Sequence, residues 1–243
     1  MEVQGGPSLV GSTPPTRDAE GLTARHLSRI ARTMYTSGPF LLRKLQHWRP
    51  YICPFERLVG HVRDGSRVLD IGCGSGLLLS LAAGTGAQFH GVGFDVSRQG
   101  IDLATRMTGR AAQLAPKAKL SFQRLNVEEA WPKGEFDIVF VVDVLHHIPP
   151  KIHRPFLGQV MSKVKPGGTL VYKDMCLRPW WMAQANRLQD LVVAREWIQY
   201  APIQSVESWA ADGGMRVVVR EDLSRLWCGH ELRVMIKEGA PSA

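Results

Sequence analysis

Residues 68–76 read VLDIGCGSG. A short apolar run carrying one acid, Asp70, leads into Gly72, Gly74 and Gly76, and SGLLLSLAAG (75–84) continues as a helical pattern. Glycine is needed where a backbone turns sharply and where a ligand must approach the main chain closely. The spacing is G-x-G-x-G. A dinucleotide fingerprint would put its third glycine at Leu77 or, counted from Gly74, at Leu79, so the nicotinamide reading weakens. No G-x-x-x-x-G-K pattern exists for a Walker phosphate cradle. A carboxylate at the start of such a loop would repel a diphosphate and suits a ligand with a cationic end. The next strand pattern, QFHGVGFD (88–95), ends in Asp95, where a carboxylate can accept from both ribose hydroxyls. The two acids together ask for a nucleoside without phosphates.

Outward from this loop, short apolar runs alternate with helical patterns. RVLDI (67–71) reads as a strand, SRQGIDLATRMTGRAAQLA (97–115) as a helix capped by Ser97, and KLSFQRL (119–125) and FDIVFVVD (136–143) as strands. HRPFLGQVMSKVK (153–165) reads as a helix, GTLVYKD (168–174) as a strand, SVESWAADG (205–213) as a helix, and RVVVRED (216–222) with HELRVMIK (230–237) as a closing hairpin. Strand–helix–strand repetition predicts a parallel sheet covered on both faces. Upstream, Leu22–Met34 has apolar residues at helical spacing with Arg25, Arg29 and Arg32 interleaved, and FLLRKLQHW (40–48) reads as a second helix stopping near Pro50. The organisation read from this is a flexible tail (1–21), an N-terminal helical lid (22–63), and one domain (64–243) with a helical insertion at 175–202. That insertion carries Trp180, Trp181, Met182, Trp197 and Tyr200, residues fit for an apolar acceptor pocket or for the core of a helical cap.

The chain has 243 residues, 30 basic and 22 acidic, with a formal charge of +8. Residues 1–63 hold nine of the basic residues and only four acids. The charge therefore bears more on the polarity of an acceptor or partner than on nucleic acid. The longest apolar stretch, 136–148, is broken by Asp143 and falls short of the roughly 18 residues a membrane span needs. The start lacks the basic-then-apolar pattern of a secretory signal, and Cys53, Cys73, Cys176 and Cys228 form no C-x-x-C pair. Free thiols in the cytoplasm, with no metal site, are the expectation.

In this order the segments resemble the class I S-adenosylmethionine-dependent methyltransferases, a Rossmann-like superfamily, over about residues 65–175. The resemblance implies an α/β fold: a seven-stranded, mainly parallel sheet with an antiparallel last strand, helices on both faces, and a helical cap over the active site. It implies S-adenosyl-L-methionine as cofactor. VLDIGCGSG resembles the family's first motif, with Asp70 orienting the methionine ammonium through water or backbone and Gly72, Cys73, Gly74 and Gly76 lying under the cofactor. GVGFDVS (91–97) resembles the second, with Asp95 on the ribose and Val96 beside it. LNVEEAW (125–131) stands where the family binds adenine, implying Asn126 at the amine, where aspartate is commoner, and Val127 at the ring. Asp143 closes the fourth-strand motif as a further cofactor contact, and KPGGTLV (165–171) resembles the turn before the fifth strand.

The sulfonium methyl is already electrophilic, so a base is needed only where the nucleophile must lose a proton. His146 and His147, on the loop after Asp143, are the candidate bases; a histidine suits deprotonation of a phenol or other hydroxyl. Their other possible use is to contact the cofactor or cap the next helix. His153 and His230 read as surface or strand residues. No Asp/Asn-Pro-Pro-Tyr/Phe motif ends the fourth strand and no Pro-Cys segment supplies a nucleophile, which disfavours DNA bases. The expected acceptor is a small or medium-sized organic molecule, anionic, aromatic or carrier-bound, methylated at oxygen. The alternatives are nitrogen or carbon methylation of a lipid- or carrier-bound intermediate, and a non-catalytic binding protein of the same fold.

Overall fold

The computed structural model describes residues 21–175, 200–226 and 228–239. The tail and most of the expected insertion, with Cys176, Trp180, Trp181, Met182 and Trp197, lie outside them.

Among the described residues three helices precede the sheet. Helix α1 (Ala24–Met34) starts at Thr23, whose hydroxyl accepts from the His26 N–H at 3.1 Å. It buries Leu27, Ile30, Ala31 and Met34, one face of a helix by their spacing, and leaves Arg25, Arg29 and Arg32 exposed. Helix α2 (Phe40–Ile52) passes through Pro50 instead of stopping before it. Proline removes one backbone donor, yet the turn that follows still closes, with the Cys53 N–H on the Arg49 carbonyl at 2.9 Å. Helix α3 (Phe55–Val59) is too short for its period to show in the sequence.

The rest alternates as the strand and helix patterns predict: β1 (Arg67–Ile71), α4 (Leu77–Gly84), β2 (His90–Asp95), α5 (Arg98–Leu114), β3 (Lys119–Arg124), β4 (Phe136–Val142), α6 (His153–Ser162), β5 (Val164–Met175), α7 (Ile203–Asp212), β6 (Met215–Arg225) and β7 (Cys228–Lys237). Ser97 caps α5, accepting from the Gly100 N–H at 3.1 Å. The strands form one sheet in the order β3-β2-β1-β4-β5-β7-β6. β7 pairs antiparallel with both β5 and β6, so it alone runs against the others. Helix α6 ends at Ser162, earlier than the sequence pattern indicates. Strand β5 starts at Val164 opposite Phe136, loops out over 165–168, and resumes with Thr169 opposite Ile138. Lys165, on that loop, bonds Asp137 at 2.8 Å.

Each sheet face is covered by its own core. α1, α3, α4 and α5 pack one through Leu27, Leu58, Leu79 and Leu103; α6 and α7 pack the other through Phe156, Leu157, Val206 and Ala210. After β1 the chain winds toward β3, and after β4 it winds the other way. The carboxyl ends of β1 and β4 therefore part, which opens a crevice at the switch point.

Candidate active site

The crevice holds a cavity of about 730 Å³, walled by the loops after β1, β2, β3 and β4 and by Arg49 from α2. The glycine loop forms its floor. Gly72 has φ +69°, and a Cβ there would stand 2.5 Å from Cγ2 of Val144, so only glycine lets the β1 and β4 loops approach this closely. Gly74 has φ +55° and open space where its Cβ would be. The loop is tied to β2 by the Gly72 and Cys73 N–H groups on the Phe94 carbonyl, at 2.9 and 3.0 Å. The Gly74 N–H donates to Asp95 Oδ2 and the Ser97 N–H to Oδ1, each at 2.8 Å. Each Asp95 oxygen thus keeps one acceptor site for a ligand hydroxyl. From outside the sheet, the hydroxyl of the fully buried Tyr35 donates to the Ser75 carbonyl at 2.8 Å and locks the loop to the end of α1.

Asp70 lies behind this floor, buried, and its Oδ2 has no hydrogen-bond partner. Burial, aided by the charge of Asp95 and opposed by Arg49, pushes its carboxyl up to about 8. Such an orphaned oxygen next to an open glycine cradle fits a ligand that brings a cation. Cys73 and Gly76 also stand behind the loop and do not line the cavity. The Cys73 thiol packs against Gly93, and burial raises it far above the ordinary thiol range; Gly76 is pressed by Phe122 and Ala104. At the far end Val96, Asn126 and Val127 line the cavity. The Asn126 backbone is held in a turn by Glu129, and the Val127 carbonyl accepts from the Trp131 ring N–H at 3.0 Å.

The other end is built on Asp143, which has φ +56°. Its N–H donates to the Lys173 carbonyl at 2.8 Å, its Oδ1 accepts from Lys173 Nζ at 2.5 Å, and Arg49 approaches Oδ2 at 3.4 Å. Burial opposes ionisation of Asp143, but Lys173 and then Arg49 outweigh it and hold the carboxyl well below its usual range. The two histidines then stand side by side in a short 3-10 turn, Leu145–His147. His147 lines the cavity. His146 does not: it is buried, with Nδ1 bonded to Asp174 Oδ1, and its ring lies 4.1 Å from the His147 ring, centroid to centroid. Asp174 is itself held by the Tyr172 hydroxyl at 3.3 Å and the Met175 N–H at 2.8 Å. Tyr200, the described member of the aromatic set, has its ring 5.8 Å from that of His146.

His153 and His230 are both buried, which corrects the surface reading of the former. His153 bonds the Ile148 carbonyl at 2.7 Å, and His230 bonds the Ile52 carbonyl at 2.8 Å. Burial, then Lys173, lowers His230 to about 4. Arg49, Lys173, Asp174 and Tyr35 are site residues that sequence reasoning missed. Only Lys173 and Asp174 left a trace, as charges ending an otherwise apolar strand pattern.

A family model described as a methyltransferase domain matches residues 42–219. The chain belongs to that family. Its fold is that of the class I S-adenosylmethionine-dependent methyltransferases. It is 33% identical over 174 residues to the tRNA U34 carboxymethyltransferase of Pseudoalteromonas translucida, covering 69% of this chain and 51% of that protein. To the 27-O-demethylrifamycin SV methyltransferase of Amycolatopsis mediterranei it is 28% identical over 181 residues, covering 70% and 62%. The chain thus spans about half to three fifths of these relatives' lengths. Among solved structures, the magnesium protoporphyrin IX methyltransferase of Synechocystis with bound SAH superposes with a TM-score of 0.60 at 19% identity, over 86% of this chain and 94% of that one. The [4+2]-cyclase SpnF has the same fold, with a TM-score of 0.58 at 15% identity over 85% and 84%. The fold therefore does not by itself fix the reaction. Among the described residues no helix is long and apolar enough to cross a membrane.

Proposed function

We propose that this chain transfers a methyl group from S-adenosyl-L-methionine to an oxygen of a small or medium-sized organic acceptor. The observation that carries the reading is one cavity with Asp95 and Asn126 at one end and His147 at the other, with the orphaned Asp70 carboxyl oxygen beneath the loop between them. When bound, the cofactor supplies an electrophilic methyl on a sulfonium. Asp95 keeps two acceptor sites for the ribose hydroxyls, Asn126 and Val127 take the adenine, and Asp70 provides the buried negative charge for the ammonium. Asp143, neutralised by Lys173, shapes the wall without adding net charge near the methyl.

On the acceptor side His147 meets the substrate and takes the hydroxyl proton as it is lost. His146 acts through it, fixed by Asp174 on one side and in tilted ring contact with His147 on the other. The remaining work is alignment of the acceptor with the methyl group. Oxygen as nucleophile is supported by this histidine, and the 27-O-demethylrifamycin and ubiquinone-biosynthesis relatives are named as methyltransferases of that kind. Calorimetric titration with S-adenosylmethionine tests the cofactor. Failure to bind, alone and with a panel of phenolic and hydroxylated acceptors, would overturn the reading in favour of a binding protein of this fold.

A further inference from the structure

Helix α2 carries apolar side chains on both sides, Leu42 packing inward against the core while a second set faces outward. Its buried positions are Gln46 and Pro50, while Phe40, Leu41 and Trp48 are 61%, 79% and 60% exposed. At 3.6 residues per turn, Phe40, Leu41, Lys44 and Trp48 fall within an arc of about 100°. Trp48 is braced edge-on by Tyr51 at 5.3 Å, and the Lys44 and Arg43 side chains lie over the Phe40 ring at 5.4 and 5.9 Å. A surface helix that turns aromatic and aliphatic side chains outward, with cations folded among them, is built for the boundary between lipid headgroups and acyl chains.

Charge points the same way. From residue 21 to residue 55 there are six arginines and lysines and no aspartate or glutamate. Arg25, Arg29 and Arg32 form the exposed face of α1, which packs beside α2. An RNA backbone would use the cations but would gain little from Leu41, the most exposed large apolar side chain described. We propose that the outer face of α2, with the basic face of α1, docks on an anionic lipid bilayer. Arg49, turned inward from the same helix, lines the cavity, so docking sets the cavity about one helix width from the membrane surface.

Co-sedimentation of the full chain with vesicles tests this. The expected result is binding to phosphatidylcholine and phosphatidylglycerol in equal parts, and weak binding to phosphatidylcholine alone. Leu41→Ser with Trp48→Ser should lower partitioning at least tenfold while leaving the melting temperature unchanged, since both side chains are exposed. Charge reversal at Arg25 and Lys44 should weaken it by on the order of tenfold at low salt. No binding to either vesicle, or binding untouched by the apolar substitutions, overturns the proposal. So does filter binding of an RNA oligomer that the charge reversals abolish, in the absence of vesicle binding. Partitioning is read without cofactor or acceptor, so its failure leaves the methyl-transfer reading standing, and the reverse holds too.

Discussion

Lys173 Nζ meets Asp143 Oδ1 at 2.5 Å, and the lysine is wholly shut off from solvent. The pair joins the ends of β4 and β5 beneath the end of the cavity that His147 lines. Removing one partner of a buried pair leaves the other charge uncompensated, at a cost of about 3–5 kcal/mol. Lys173→Met is expected to destabilise the fold by that order in denaturant unfolding, and Asp143→Asn in the Lys173→Met background should recover part of it. Because Asp143 is held below its ordinary range, its stabilisation is present above the unfolded carboxylate value, about 4, and is lost as pH falls below that. Acid unfolding of the Asp143→Asn protein should accordingly be shallower.

Asp70 runs in the opposite direction. Its carboxyl is pushed up to about 8, so the ligand-free fold binds a proton there that the unfolded chain has released. Stability should decline as pH rises from about 4 to 8 on account of this group, and Asp70→Asn should remove that decline. Binding a cationic ligand beside Asp70 favours the ionised form. Affinity for S-adenosylmethionine should therefore rise between pH 6 and 8, by no more than about tenfold per pH unit, with proton release visible as a buffer-dependent calorimetric heat. A flat profile would show that Asp70 does not sense the ligand.

The histidines separate by position. His147→Ala is expected to lower kcat by roughly 10²-fold or more on a hydroxyl acceptor, in the range of a lost general base. His146→Ala and Asp174→Asn should cost less, and should shift the pH dependence of kcat, because they act through the orientation of His147. Equal kcat and unchanged pH profiles in all three variants would remove the base.

Gly72→Ala tests the cradle. A side chain at φ +69° costs roughly 1–2 kcal/mol before packing, and here its Cβ would also stand 2.5 Å from Val144 Cγ2. A lowered melting temperature and weakened cofactor binding are expected. Val144→Ala in the same chain should restore part of both, since it removes the clash and leaves the backbone strain.

The fold was legible because it rests on local signals. The glycine loop, the Ser97 cap, and the alternation of apolar strands with periodic helices are each set by a few neighbouring residues, and together they leave few topologies open. The same local information placed Asp95, Asn126, Val127 and Asp143 on loops that the sheet then brings around one cavity. It could not divide His146 from His147, which are adjacent in sequence. One faces the cavity and the other turns inward to Asp174, a residue 28 positions away. Nor could it find Arg49 or Lys173, whose meaning comes from converging on Asp143 from a helix and a strand far apart in the chain. The outward apolar face of α2 was also hidden, because periodicity reports that a helix has an apolar side and not which side the rest of the fold covers. The sequence by itself determined the architecture and the kind of ligand the glycine loop admits. Which charges are paired, which histidine lines the cavity and which apolar surface stays exposed were decided only by tertiary packing, because burial and pairing depend on distances between segments that no local pattern encodes.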